Sequence, residues 1–142
     1  MERSKMSKLT RLLILVLSLA VLSFTTLACC NLTGGEPTIE NVVTCQDITD
    51  DYKPVNETSI YAPEDTFYCS VKVSNLKQGQ VVTWKWYYGG EFLYEQPLTL
   101  EKSGSGYVAA YLTNDQLWPT GSYKVEVYLD GALSKTVSFS VQ

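Results

Sequence analysis

Ser122-Tyr123-Lys124-Val125-Glu126-Val127-Tyr128-Leu129, then Asp130-Gly131, then Leu133-Ser134-Lys135-Thr136-Val137-Ser138-Phe139-Ser140-Val141 are two alternating runs joined by a turn dipeptide. A period of two places Tyr123, Val125, Val127 and Leu129 on one face of a strand, and Val137, Phe139 and Val141 on one face of the next. Asp-Gly tolerates the positive φ angles of a tight hairpin turn, so the two runs fold back on each other. A hairpin with one apolar face must bury that face against a second layer.

The same pattern extends upstream. Phe67, Cys69, Val71 and Val73 alternate with Tyr68, Ser70 and Lys72. Between Val81 and Tyr88, Val82, Trp84, Trp86 and Tyr88 share a face, which sends both tryptophans to the core. Gly89-Gly90 turns the chain into a returning strand at Phe92 to Glu95. Leu98 to Lys102 and Gly106 to Thr113 read as two more strands, joined through Ser103-Gly104-Ser105-Gly106. Ile39 to Gln46 is the first strand, with Ile39, Val43 and Cys45 inward, and Asp47 to Pro63 is a long polar loop with a short edge segment. No helical periodicity is long enough to define a helix. Seven to nine short strands over residues 38–142 predict an all-β, antiparallel sandwich.

Asp115 to Val125 contains Gly121-Ser122-Tyr123-Lys124-Val125, and this stretch resembles the tyrosine corner of immunoglobulin-like sandwiches. The resemblance implies that Tyr123, entering the penultimate strand, donates a hydrogen bond to backbone a few residues upstream. In immunoglobulins a core cysteine follows that tyrosine by two residues, whereas here the position is Val125. The usual bridge between the sheets is therefore missing, and Trp84 or Trp86 packs on an aliphatic core instead. The expected class is immunoglobulin-like or fibronectin-like rather than antibody-type.

Ahead of this domain, Arg3, Lys5, Lys8 and Arg11 precede an apolar run from Leu12 to Leu22, as in an export signal. The run ends in small and polar residues before Leu27-Ala28-Cys29, which resembles the lipobox of bacterial lipoproteins. That resemblance implies cleavage after residue 28, lipidation of Cys29, and a domain held on the extracytoplasmic side of a cell membrane or outer membrane. Lipidation of Cys30 would put Leu27 in the preferred place but Cys29 at the small-residue position, so Cys29 is favoured. An uncleaved anchor is the other reading, with 17 mostly apolar residues from Leu12 to Ala28 against the roughly 20 that span a bilayer. Residues 29–37, with Gly34-Gly35 and Pro37, have the composition of a flexible tether. In an exported domain thiols tend to oxidise, so Cys45 and Cys69, both assigned inward, are expected to pair; two buried thiols are the alternative.

Charge narrows the partners. Beyond residue 28 the chain has seven lysines, no arginine and fourteen carboxylates, a net charge of −7. Such a surface does not replace counterions along a nucleic acid, nor adhere to anionic lipid. Histidine is absent, which removes the commonest base near neutral pH and the commonest transition-metal ligand. Neither a Gly-x-Ser-x-Gly nucleophile motif nor a phosphate loop is present, so neither catalysis nor a cofactor is expected, and no metal centre. The acidic stretch Asp47 to Asp51 lacks the glycine and distal glutamate of a calcium loop and reads as solvated. Ten tyrosines and three tryptophans leave surface recognition as the main expectation. Tyr87 and Tyr128 face outward on one sheet and Tyr68 on the other, offering a surface for an envelope or extracellular protein or, alternatively, for a carbohydrate.

Overall fold

A computed structural model describes residues 34–142. Nine strands follow in chain order: β1 Thr38–Ile48, β2 Pro54–Glu57, β3 Ile60–Tyr61, β4 Phe67–Leu76, β5 Val81–Tyr88, β6 Glu91–Thr99, β7 Gly104–Leu112, β8 Gly121–Leu129 and β9 Ala132–Val141. They form two sheets, one in the order β2-β1-β4-β7 and the other β3-β9-β8-β5-β6. The fold is an all-β immunoglobulin-like sandwich. Every ladder is antiparallel except β3 with β9, because the chain crosses from one sheet to the other after β2 and lays two residues alongside β9.

The hairpin of β8 and β9 forms as its alternation demands. Asp130 and Gly131 hold φ angles of 48° and 82°, and Asp130 carries the strain of a positive φ because its carboxylate accepts the N–H of Val81 at 2.9 Å. The inward residues of β8 and β9 meet those of β4 and β5, and Phe67, Val71, Val82, Trp84, Trp86, Val125 and Val127 are fully enclosed. At one end of the sandwich Phe67 is surrounded by aromatic rings, with Trp118 stacked at 4.6 Å, Tyr61 and Phe139 edge-on at 4.9 Å, and Tyr123 at 5.3 Å. Tyr123 donates its hydroxyl to the carbonyl of Pro119 at 2.7 Å, which is the tyrosine corner its sequence context implied.

Two sequence expectations change here. Phe92 to Glu95 and Leu98 to Lys102 are not separate strands, since β6 runs unbroken from Glu91 to Thr99 with Pro97 inside it. An end strand tolerates proline because one edge has no ladder to donate to. In β1 a bulge at Glu40 separates the pairs Ile39↔Val73 and Asn41↔Lys72, which reverses the alternation beyond it. Val42 and Thr44 therefore face the core with Ile39, while Val43 and Cys45 turn to the outer face.

The two flanks of the sandwich differ. On one, β3 follows β2 across to pair with β9, and Tyr61 donates its hydroxyl to the carbonyl of Cys45 at 2.8 Å, tying the sheets together. On the other, β6 and β7 are end strands of their sheets.

Candidate functional site

The β6–β7 flank holds the candidate site. After the Gly89-Gly90 turn, β6 presents Phe92, Leu93 and Tyr94 in succession, and a bulge at Leu93 separates the pairs Trp86↔Tyr94 and Tyr87↔Phe92. Phe92 consequently faces outward beside Tyr87, while Tyr94, Gln96 and Leu98 share the inward side of β6. Because β6 overhangs the end of the core, this inward side remains open. Tyr94 is 53% exposed and Leu98 is 38% exposed. Five of the nine large apolar side chains exposed among the described residues are Phe92, Leu93, Tyr94 and Leu98 of β6 and Tyr111 of β7, so exposed apolar surface is concentrated on this flank.

A cleft of about 550 Å³ opens between the two end strands, with Leu93, Tyr94, Tyr111 and Trp118 as its aromatic and aliphatic walls and Gln96, Thr113 and Asn114 as its polar ones. Gln96 is the strut across it: its amide oxygen accepts the indole N–H of Trp86 at 2.9 Å, and its amide nitrogen donates to the carbonyl of Tyr111 at 2.9 Å. Trp118 is fixed from behind, since its backbone and indole N–H groups donate to the carbonyls of Pro63 and Asp65 at 2.8 and 2.9 Å. Gln96 and Trp118 are thus fixed by bonds within the protein, while Leu93, Tyr94 and Tyr111 stand exposed around them.

The tyrosines expected from the sequence to form a surface are placed differently from one another. Tyr87 and Tyr128 do lie on the outer face of the β3-β9-β8-β5-β6 sheet, but lysines cover their rings. Lys124 sits 4.6 Å from the Tyr87 ring centre and Lys85 sits 4.8 Å from that of Tyr128. Glu126 joins them, accepting from Lys124 at 2.7 Å and from the Tyr128 hydroxyl at 2.6 Å. The Lys124 hydrogen bond, followed by that of Tyr128, holds the Glu126 carboxyl below its usual range, and the same carboxylate pushes the Tyr128 phenol up to about 12. Tyr68 lies on the opposite sheet, beside Tyr111 at 5.8 Å. The three do not form one site.

Cys45 and Cys69, expected from the sequence to pair, are both buried and unbonded in this structure. The bulge in β1 pairs Cys45 with Tyr68 on the outer face, whereas Cys69 points into the core beside Thr44. Neighbouring side chains on opposite faces of one sheet do not meet. Burial pushes both thiols up, away from reactive thiolate. Trp84 packs against Cys69 in the core, and its indole N–H is buried without an oxygen acceptor. Cys29, the expected lipidation site, lies outside the described residues.

Electrostatically the cleft is set among unpaired acids. Glu91 begins β6 beside Leu93, Asp115 follows Asn114, and Glu64 lies between the two residues that anchor Trp118; all three are exposed. The ion pairs among the described residues, Lys72–Glu40, Lys85–Glu95 and Lys124–Glu126, engage none of them.

The sequence did not single out Tyr94, Gln96 or Trp118 as site residues. The available signal was Phe92-Leu93-Tyr94, three apolar residues that break the alternation directly after a turn.

Comparison with known proteins agrees with the fold. No protein-family model matches the chain, and no curated protein does. Among solved structures, an immunoglobulin-like protein from Pseudomonas aeruginosa superposes with a TM-score of 0.52 at 13% identity, over 77% of this chain and 98% of that one. A Pseudomonas fluorescens alkylpurine DNA glycosylase bound to DNA containing an abasic site analog gives a TM-score of 0.44 at 13% identity, over 78% of this chain but 31% of its own. The first likeness concerns the sandwich itself.

Proposed function

We propose that this chain is a lipid-anchored, non-catalytic binding module of the cell envelope, and that it recognises a protein through the β6–β7 flank. The observation that carries the reading is the open aromatic cleft between the two end strands, which has the exposed Leu93, Tyr94 and Tyr111 in its walls. Surfaces of this kind mark interaction sites on soluble domains. A carbohydrate is the second reading, for which Thr113, Asn114 and the tyrosine hydroxyls supply polar groups while both ends of the Gln96 amide are already engaged within the protein.

The test joins both parts of the proposal. Metabolic labelling with an alkyne fatty acid should mark the wild-type chain and not Cys29→Ser. A Leu93→Ser, Tyr94→Ser and Tyr111→Ser triple variant should stay anchored yet lose the protein that crosslinks to wild type in membranes. Unchanged labelling of Cys29→Ser refutes Cys29 as the lipidated residue, an unlabelled wild-type chain refutes the anchor, and unchanged crosslinking of the triple variant refutes the site.

A further inference from the structure

We infer that the segment docking in the β6–β7 cleft is an extended stretch of a partner protein in which lysine or arginine alternates with aliphatic residues. The inference rests on the binding reading above and specifies its partner.

The cleft and the residues next to its lining in the chain supply two kinds of surface. Its walls, Leu93, Tyr94, Tyr111 and Trp118, are apolar or aromatic and suit aliphatic side chains. Its surroundings carry Glu64, Glu91 and Asp115, exposed and outside every ion pair among the described residues. The half-exposed rings of Tyr94 and Tyr111 also offer their faces to cations. Side chains along an extended peptide point to opposite sides, so alternation lets one set meet the apolar wall and the other the acidic rim.

Charge argues against a second copy as the occupant. Pairing β6 with its own equivalent would bring Glu91 and Glu95 of both copies onto one edge, and β6 has no lysine to oppose them. Pro97 acts in the same sense, since it contributes no N–H to a ladder along that edge. Side-chain docking across the cleft avoids both obstacles.

The test uses the 15N-labelled protein and an octapeptide of alternating lysine and valine, with an octapeptide of alternating glutamate and valine and chitotetraose as comparators. The lysine peptide should shift the Trp118 indole and Gln96 side-chain amide resonances and leave Tyr128 unmoved. Its binding should weaken as salt rises from about 50 to 300 mM, and Tyr94→Ala should weaken it by about tenfold. Tyr94 is half exposed, and dispersed amide spectra of the variant check that it folds. No shift at these groups with millimolar lysine peptide overturns the inference, as does an equal response to the glutamate peptide. Equivalent shifts with chitotetraose assign the cleft to a glycan, and concentration-dependent dimerisation through β6 assigns it to a second copy; either result overturns the inference. Because the membrane crosslinking experiment is read independently, loss of the basic-peptide claim leaves the binding-module reading standing if the triple variant still loses its partner.

Discussion

Replacing Tyr123 by phenylalanine removes one oxygen and isolates the energetic role of the tyrosine corner. The ring stays where it is, stacked with Phe139 at 5.4 Å and tilted against Tyr88 at 4.7 Å. What is lost is the 2.7 Å bond to the carbonyl of Pro119. A neutral hydrogen bond contributes about 1 kcal/mol net, and a carbonyl left partly buried without a donor adds to the loss, so about 1.5 kcal/mol is expected. With a urea m-value of roughly 1 to 3 kcal/mol/M, the unfolding midpoint falls by about 0.5 to 1.5 M. Thermally the change is about 6 °C for a domain of this size. Equilibrium urea unfolding followed by tryptophan fluorescence reads this directly, because Trp84, Trp86 and Trp118 all lie in or against the core. Tyr123→Ala, which also deletes the ring, should cost about 3 to 5 kcal/mol. If Tyr123→Phe unfolds at the wild-type midpoint with an unchanged m-value, the hydroxyl bond does not brace the β7–β8 connection and the reasoning fails.

Three further outcomes follow from the geometry. Gly121→Ala should destabilise by about 1 to 3 kcal/mol in the same unfolding assay, because Gly121 has φ 142° and a Cβ there would stand 3.1 Å from the Tyr88 ring; wild-type stability would show that the bend relaxes freely. Mass spectrometry after maleimide labelling in denaturant, without reductant, should find Cys45 and Cys69 each alkylated once, whereas a peptide pair linked through them would contradict the β1 register. Glu126 has a lowered folded pKa, so its contribution is present above the ordinary carboxylate range and is lost as pH falls through the lowered value. Glu126→Gln should therefore flatten the acid limb of the stability profile, and an unchanged limb would deny Glu126 that role.

Much of the sandwich was legible because long stretches of its strands alternate regularly between their bulges. In β4, β5, β8 and β9 period-two reading placed the core correctly, and Gly121-Ser122-Tyr123 marked the corner before any coordinates. The sequence reading failed where a strand broke period. An extra residue at Glu40 leaves no mark in composition, yet it turns Cys45 to the face opposite Cys69. Pro97 made β6 look like two strands, although an end strand accepts it. The site was illegible for a related reason. Exposed Tyr94 and buried Trp86 are partners in one ladder, and only the overhang of β6 beyond the core separates their environments. Tyr87 and Tyr128 were assigned the right side of the sheet, but the lysines covering them come from facing strands, which a one-dimensional pattern does not pair.

The two flanks of the sandwich differ in how they are covered. The flank closed by β3 and Tyr61 holds the sheets together, while the opposite flank leaves aromatic surface uncovered beside Gln96. That exposure carries a solubility hazard, moderated by Glu91, Glu95 and Pro97 along the edge. The proposed binding role would give that exposure a use.

The most direct test places a photoreactive benzophenone amino acid at position 93, in the cleft wall, and separately at position 128, on the lysine-covered face, in cells expressing the full chain. Irradiation should give a discrete adduct from position 93 alone, joined to a lysine- or arginine-bearing segment of another protein. Adducts from position 128 with none from position 93 would place recognition on the outer sheet and contradict the assignment of the β6–β7 flank.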